Sequence, residues 1–179
     1  CLVEVAVVIT NSNLEILDPG FEVVIKPRAE SWANMNDFVR NMHTQSGLIN
    51  DVENGVDLAE AENQILDYIK QFVPNAKEAP LAGNTIGTDR MFLNKYMPTL
   101  DQHLHYRNID VSSIKELSRR WYPRVYFQLP KKEGGHRALA DILESIQELR
   151  YYRETVMVPI PGPSTDEAKA AAENIKANL

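Results

Sequence analysis

The sequence is short of several things, and each shortage excludes a class. It has one cysteine, Cys1, so an internal disulfide is excluded and a reducing compartment is expected. It has no apolar run of about 18 residues, so no membrane-spanning helix is expected, and no leader-like stretch is visible. A cytoplasmic protein fits both. Basic residues are few: 19 Lys and Arg stand against 25 Asp and Glu, a formal net charge of −6. Proteins that grip long nucleic acid without sequence preference carry a basic face. The acidic balance argues against that class and leaves room for a local pocket for a short anionic ligand. There is no internal repeat. What remains is ordinary globular composition, 44% apolar and 25% charged over 179 residues, enough for one domain with a real core.

Residues 2–9 are β-branched and almost wholly apolar, which predicts a strand buried on both faces at the centre of a sheet. Glu4, the odd residue in it, reads as a strand-end charge reaching solvent. Turns at residues 11–13 and 18–20 lead to a second strand over 21–26, stopped by Pro27. Short helical pieces follow around residues 32–42. Asp57 and Glu60 read as a capping-box start for a helix with Leu58, Ala61, Ile65, Tyr68, Ile69 and Phe72 inward, closed by Pro74. Residues 80–84 predict a short buried strand. It runs into a helix with Phe92, Leu93 and Tyr96 inward, ended by Pro98. Residues 108–110 read as a strand end, after which Ser112 or Ser113 caps a helix facing inward through Ile114, Leu117 and Trp121. Leu139, Ile142, Leu143, Ile146 and Leu149 mark the core stripe of a further helix. Beyond it, residues 158–163 can be neither regular helix nor central strand and read as an extended linker. An Ala- and charge-rich segment then ends the chain, as an exposed helix or a frayed tail. This order predicts an α/β layer fold on a mixed sheet over residues 1–157, with 158–179 as linker and tail.

Candidate chemistry gathers in a few places. Gly134 and Gly135 precede His136, and Asp141 follows on the first turn of the helix, off its apolar stripe and beside Ala138 and Ser145. A carboxylate on a rigid helix can hold a metal ion, and a histidine at a loose junction can move a proton. A loop histidine and a solvated helix aspartate are the plain alternative. Asp89 falls in the first turn of its helix, where the macrodipole favours negative charge, beyond the carboxyl end of a strand, where α/β sheets hold ligands. Helix-start acids are also common for structural reasons alone. Within residues 103–107, Arg107 suits bidentate phosphate contact, and His105 and Tyr106 offer flat faces to a base. Two histidines two residues apart, with no third ligand near, make a poor metal site, and a plain loop is the competing reading. Phe38 and Trp32 read as core or as base-stacking rings, with core favoured.

Four segments carry a resemblance. They are residues 82–90, AGNTIGTDR; residues 105–112, HYRNIDVS; Lys115-Glu116-Leu117 with Arg119-Arg120-Trp121; and residues 136–141, HRALAD. In this order and spacing, over about residues 2–153, the chain resembles the oligoribonucleases, 3′-to-5′ exoribonucleases of the histidine-type DEDD superfamily. The resemblance implies an RNase H-like mixed sheet flanked by helices, a homodimer, two divalent ions (Mg²⁺ or Mn²⁺), and short oligoribonucleotides, down to dinucleotides, as substrate. It implies that Asp89 and Asp141 are metal ligands and His136 the general base. Thr85, Arg107 and Ser112 would grip the terminal phosphate, and His105 and Tyr106 would be lent to the substrate by the partner subunit. Phe38 stands where the family has a tryptophan that packs on a base. The family's first motif, Asp-x-Glu on the first strand, would lie upstream of Cys1, and Glu4 matches a different family glutamate. Residues 1–179 alone are therefore expected to lack the first strand of the sheet, to bind Mg²⁺ weakly and to hydrolyse no dinucleotide. Two alternatives stay open: a catalytically incapable nucleotide-binding form, and a proofreading-type DNA exonuclease, against which the cluster at His105 to Arg107 argues.

Overall fold

The computed structural model describes residues 2–131 and 137–178. The first apolar run forms β1 (Glu4–Val7), and the chain returns as β2 (Phe21–Val24), antiparallel, with Glu4 opposite Val24 and Val7 opposite Phe21. Asn11 makes the reversal: its side-chain oxygen accepts the backbone N–H groups of Asn13 (2.9 Å) and Glu15 (3.0 Å). Three short helices follow, α1 (Ala29–Ala33), α2 (Asp37–Gln45) and α3 (Leu48–Asp51). Asp57 then caps α4 (Leu58–Phe72) by accepting the Glu60 N–H at 2.9 Å. Ala61, Ile65, Leu66 and Ile69 on α4 are buried. With Val23 and Ile25 they form a core completed by Leu93, Met97, Leu100 and Leu104.

The second half begins with β3 (Pro80–Gly83), α5 (Ile86–Tyr96), α6 (Pro98–His103) and β4 (His105–Asp110), the two strands pairing in parallel with Gly83 beside Asp110. Arg90 locks this crossover: it forms an ion pair with Asp101 and donates to the His105 carbonyl at 2.8 Å. Then come α7 (Val111–Trp121), α8 (Pro123–Phe127), α9 (Ala138–Thr155) and α10 (Thr165–Ala177). Helix α9 packs against β1, β2, β3 and α7. The architecture is the expected α/β one of RNase H-like type, with antiparallel and parallel pairing both present. Among the described residues it comprises two two-stranded pieces.

Several expectations need correction. β1 was expected at the centre of a sheet. Among the described strands it pairs with β2 alone, and all four of its residues are half-buried. β3 is not buried: Pro80 and Ala82 are exposed. Phe92 and Trp121 turn outward, and so does Leu117. The buried residues of α7 are Val111 and Ser118 instead. Neither Ser112 nor Ser113 caps α7. That position belongs to Asp110, whose carboxylate accepts the Ser112 N–H at 2.9 Å. Pro98 does end α5, whose C-cap Met97 leaves the helical region before it, and it also opens α6 from its first turn, where a missing N–H costs nothing. Phe38 is 78% exposed on α2, not core, while Trp32 stacks on His43 with ring centroids 6.2 Å apart. Residues 105–107, offered as a possible loop, are strand. The terminal segment is helical, opened by a full capping box between Ser164 and Glu167, and buries no residue.

Candidate functional site

Parallel pairing puts the carboxyl ends of β3 and β4 side by side, and each strand runs into a helix. The N-termini of α5 and α7 therefore lie together, the place where open α/β sheets bind ligands. Thr85, the residue before α5, has a left-handed backbone (φ +53°). That conformation costs a residue with a Cβ about 1–2 kcal/mol, and hydrogen bonds hold it. The Thr85 N–H donates to Asp110 Oδ1 at 3.0 Å and lies 2.9 Å from Ser112 Oγ. Thr85 Oγ1 lies 3.1 Å from Ser112 Oγ. Two hydroxyls expected at one phosphate are thus in contact, 27 residues apart in sequence.

Asn84 joins this pair to α9. Its Oδ1 accepts the Ser112 hydroxyl at 3.2 Å, and its Nδ2 donates to Ser145 Oγ (2.9 Å) and Glu148 Oε2 (3.3 Å). Ser145 in turn donates to the Asp141 carbonyl at 2.8 Å. Glu148 is 4% exposed and ion-paired to Lys115 on α7 at 3.2 Å. Asp141, Ser145, Glu148 and Tyr152 share one face of α9, and the two buried residues of that helix, Glu148 and Tyr152, lie on it. Burial pushes the Tyr152 phenol far above its ordinary range, with the Glu148 charge adding to the effect.

Asp89 lies on the first turn of α5, one turn beyond Thr85. Partial desolvation raises its carboxyl above the usual range against an opposing pull from its own backbone N–H, although the residue is exposed to solvent. Asp89 and Asp141 are hard oxygen donors, right in kind for Mg²⁺ or Mn²⁺. Among the described residues, no group of three or more His, Cys, Asp or Glu is close enough to hold a metal. His136 lies outside the described residues.

The His105, Tyr106 and Arg107 side chains are not part of this network. The His105 and Tyr106 rings stack with centroids 4.5 Å apart, and the Arg107 guanidinium lies over the Tyr106 ring at 5.4 Å. Tyr106 and Arg107 are exposed. At strand rise, about 10 Å of chain separates Arg107 from Asp110. Phe38, on α2, is also apart from it. A groove of about 440 Å³ opens beside Ser112 along α7, lined by Asp110, Ser112, Ser113, Glu116, Leu117 and Arg120.

Three features escaped the sequence reading. Glu4 does not reach solvent: its side chain is 5% exposed, and it accepts from Arg137 Nε (2.7 Å) and from the Ala138 N–H (2.9 Å) at the start of α9. A lone charge inside an apolar strand was the signal for it. Asn84 gave no signal. Glu148 did, in the spacing of 141, 145, 148 and 152, which is as regular as the apolar stripe beside it.

The sequence model of the Exonuclease family matches residues 1–149. The chain is 66% identical over 174 residues to the oligoribonuclease of Leifsonia xyli subsp. xyli, covering 97% of this chain and 84% of that protein. It is 58% identical over 164 residues to that of Cutibacterium acnes (92% and 81%), and 56% identical over 171 residues to that of Streptomyces coelicolor (96% and 86%). These matches take in the β3–α5 and β4–α7 junctions and the first turn of α9 together, so the chain belongs to the exonuclease family and, within it, to the oligoribonucleases.

Proposed function

We propose that this exoribonuclease works 3′ to 5′ on short oligoribonucleotides, down to dinucleotides, releasing mononucleotides. The carrying observation is the hydrogen-bonded Thr85–Ser112 pair at the joined helix starts, tied through Asn84 and Ser145 to the helix bearing Asp141. The hydroxyl pair takes the terminal phosphate. Asp89 and Asp141 hold Mg²⁺ or Mn²⁺, two ions in a complete site, which when bound would stabilise the charge that develops on the attacking and leaving oxygens. His136 accepts the proton of the attacking water. Two carboxylates are few for holding two Mg²⁺ ions, and we expect residues 1–179 alone to bind Mg²⁺ weakly and to hydrolyse no dinucleotide.

A homodimer completes the substrate grip. What supports it is the exposure of Tyr106 and Arg107, whose side chains stack on one another. Exposed Tyr106 and Ile109 also stand on β4, which pairs on one side only among the described strands. Residues 1–157 make up the catalytic unit and 158–179 a Pro-rich linker and tail. No described helix is long and apolar enough to cross a membrane, and we place the protein in the cytoplasm.

The test is a dinucleotide assay with excess Mn²⁺. It compares residues 1–179 with a chain extended upstream by an Asp-x-Glu strand. On the active form, Asp89→Asn and Asp141→Asn should reduce turnover to background, and His136→Ala should lower it about 10²–10⁴-fold. RNA should be cut faster than the matching DNA dinucleotide. Equal rates would favour the DNA exonuclease. Binding without turnover by every form would favour the incapable nucleotide binder. Full turnover by residues 1–179 would mean that other acids complete the site.

A further inference from the structure

The Asn84 side chain sits between the hydroxyl pair and a buried carboxylate, and its two ends are not equivalent. A carboxylate only accepts hydrogen bonds, so Glu148 draws the amide nitrogen of Asn84 inward, at 3.3 Å, with Ser145 Oγ beside it at 2.9 Å. The carbonyl end must then face Ser112. With Asn84 Oδ1 at 3.2 Å, the Ser112 hydroxyl spends its one proton inward. Its lone pairs are left for the Thr85 N–H, at 2.9 Å. The 3.1 Å contact between the two hydroxyls is then donated by Thr85. Thr85 is the exposed member of the pair, and its proton is the one that can turn outward to an anion. An Asn84 amide turned the other way would donate to Ser112 and free the Ser112 proton for Thr85 Oγ1 or for the anion, while the Thr85 N–H bond to Ser112 would stand. Lys115, 3.2 Å from Glu148, offsets the cost of burying the charge that sets this direction.

We propose that Asn84 and Glu148 are positioning residues for the terminal-phosphate contact: Glu148 fixes the direction of the Asn84 amide, which fixes which hydroxyl of the Thr85–Ser112 pair donates outward. This rests on the reading that the pair faces a terminal phosphate. In a 3′-to-5′ enzyme acting on a dinucleotide, that phosphate is the one at the 5′ end. Neither Asn84 nor Glu148 touches the substrate. Both act through Ser112 and Thr85.

The experiment measures Kd for a diadenylate with and without a 5′-phosphate, in EDTA so that nothing is cleaved, for the full chain and its variants. The readout is the ratio of the two affinities, which a general loosening of the fold would not move. Asn84→Ala should cut the preference for the phosphorylated form several-fold, through the lost ordering of the two hydroxyl protons rather than a lost contact to the phosphate. Glu148→Gln, the same shape without the charge, should cut it several-fold by freeing the amide to turn. If Ser112→Ala and Thr85→Val lose the preference while Asn84→Ala and Glu148→Gln retain it, the positioning role is overturned and the phosphate reading stands. If the unaltered chain shows no preference, both fall. Should Asn84→Ala not fold, Glu148→Gln decides the matter alone.

Discussion

His43 is a buried histidine with its ring stacked on Trp32, and burial lowers its pKa below the ordinary 6.5 against an opposing pull from Glu4. In the fold it stays neutral where an unfolded histidine would take a proton. The unfolded state therefore binds more protons in the window just below 6.5. This part of the stability is complete above that value and is lost as pH falls toward the lower folded value. Urea unfolding of the native chain should give a smaller stability at pH 5.5 than at pH 7. His43→Gln should be less stable at pH 7 and show a flatter loss over the same interval. A parallel loss in both proteins would place the pH dependence on carboxylates instead. At this scale the sequence was uneven to read. Asp89 and Asp141 could be placed on first turns because helix starts have a recognisable grammar. Glu4 and Asn84 could not, because their partners lie 133 and 28 residues away. Asp110 and the serines after it are equally good caps by residue type, and only the backbone shows that Asp110 precedes the first turn.

Among the elements, α9 shows best what periodicity can and cannot tell. Its apolar stripe was visible in the sequence, yet the fully buried positions fell on the polar face, because that face meets α7 and β3 while the apolar one is only half covered. The start of α9 has no cap of its own; Glu4 serves from β1 by accepting the Ala138 N–H. Arg137 extends this anchor to Glu22 on β2 (3.8 Å) and Asp51 on α3 (3.1 Å). Glu4→Gln should cost about 1.5–3 kcal/mol, the range for hydrogen bonds to a charged group. It should also speed hydrogen exchange at the first turn of α9, including the Asp141 amide. Glu22→Gln, removing a longer and more exposed partner, should cost less than about 0.5 kcal/mol. Equal losses from the two substitutions would show that Glu4 acts as one more surface charge.

For the whole molecule, the proposed dimer gives a test that a single chain cannot. In the active form, Tyr106→Ala damages the face lent to the partner, and Asp141→Ala damages the chain's own site. Mixing the two inactive proteins should form heterodimers with one doubly damaged site and one intact site, up to half of the dimers. Activity should recover toward about a quarter of the native value per site by random pairing. A mixture no more active than its components would put Tyr106 in its own chain's site. The same docking of α9 on both strand pairs also bears on how the protein folds. Its contact with β1 joins residues 134 apart, and closing so long a loop is repaid only after the rest has assembled. Docking of α9 then falls on the native side of the folding barrier. Destabilising substitutions along it, such as Glu148→Gln, should speed unfolding and leave the refolding rate nearly unchanged. Ile65→Val, in the local core of α4, should slow refolding instead. The helix that carries Asp141, the proposed metal ligand, would be the first part of the molecule to let go, so the lifetime of the proposed site would be set by the unfolding rate of α9 more than by the stability of the core.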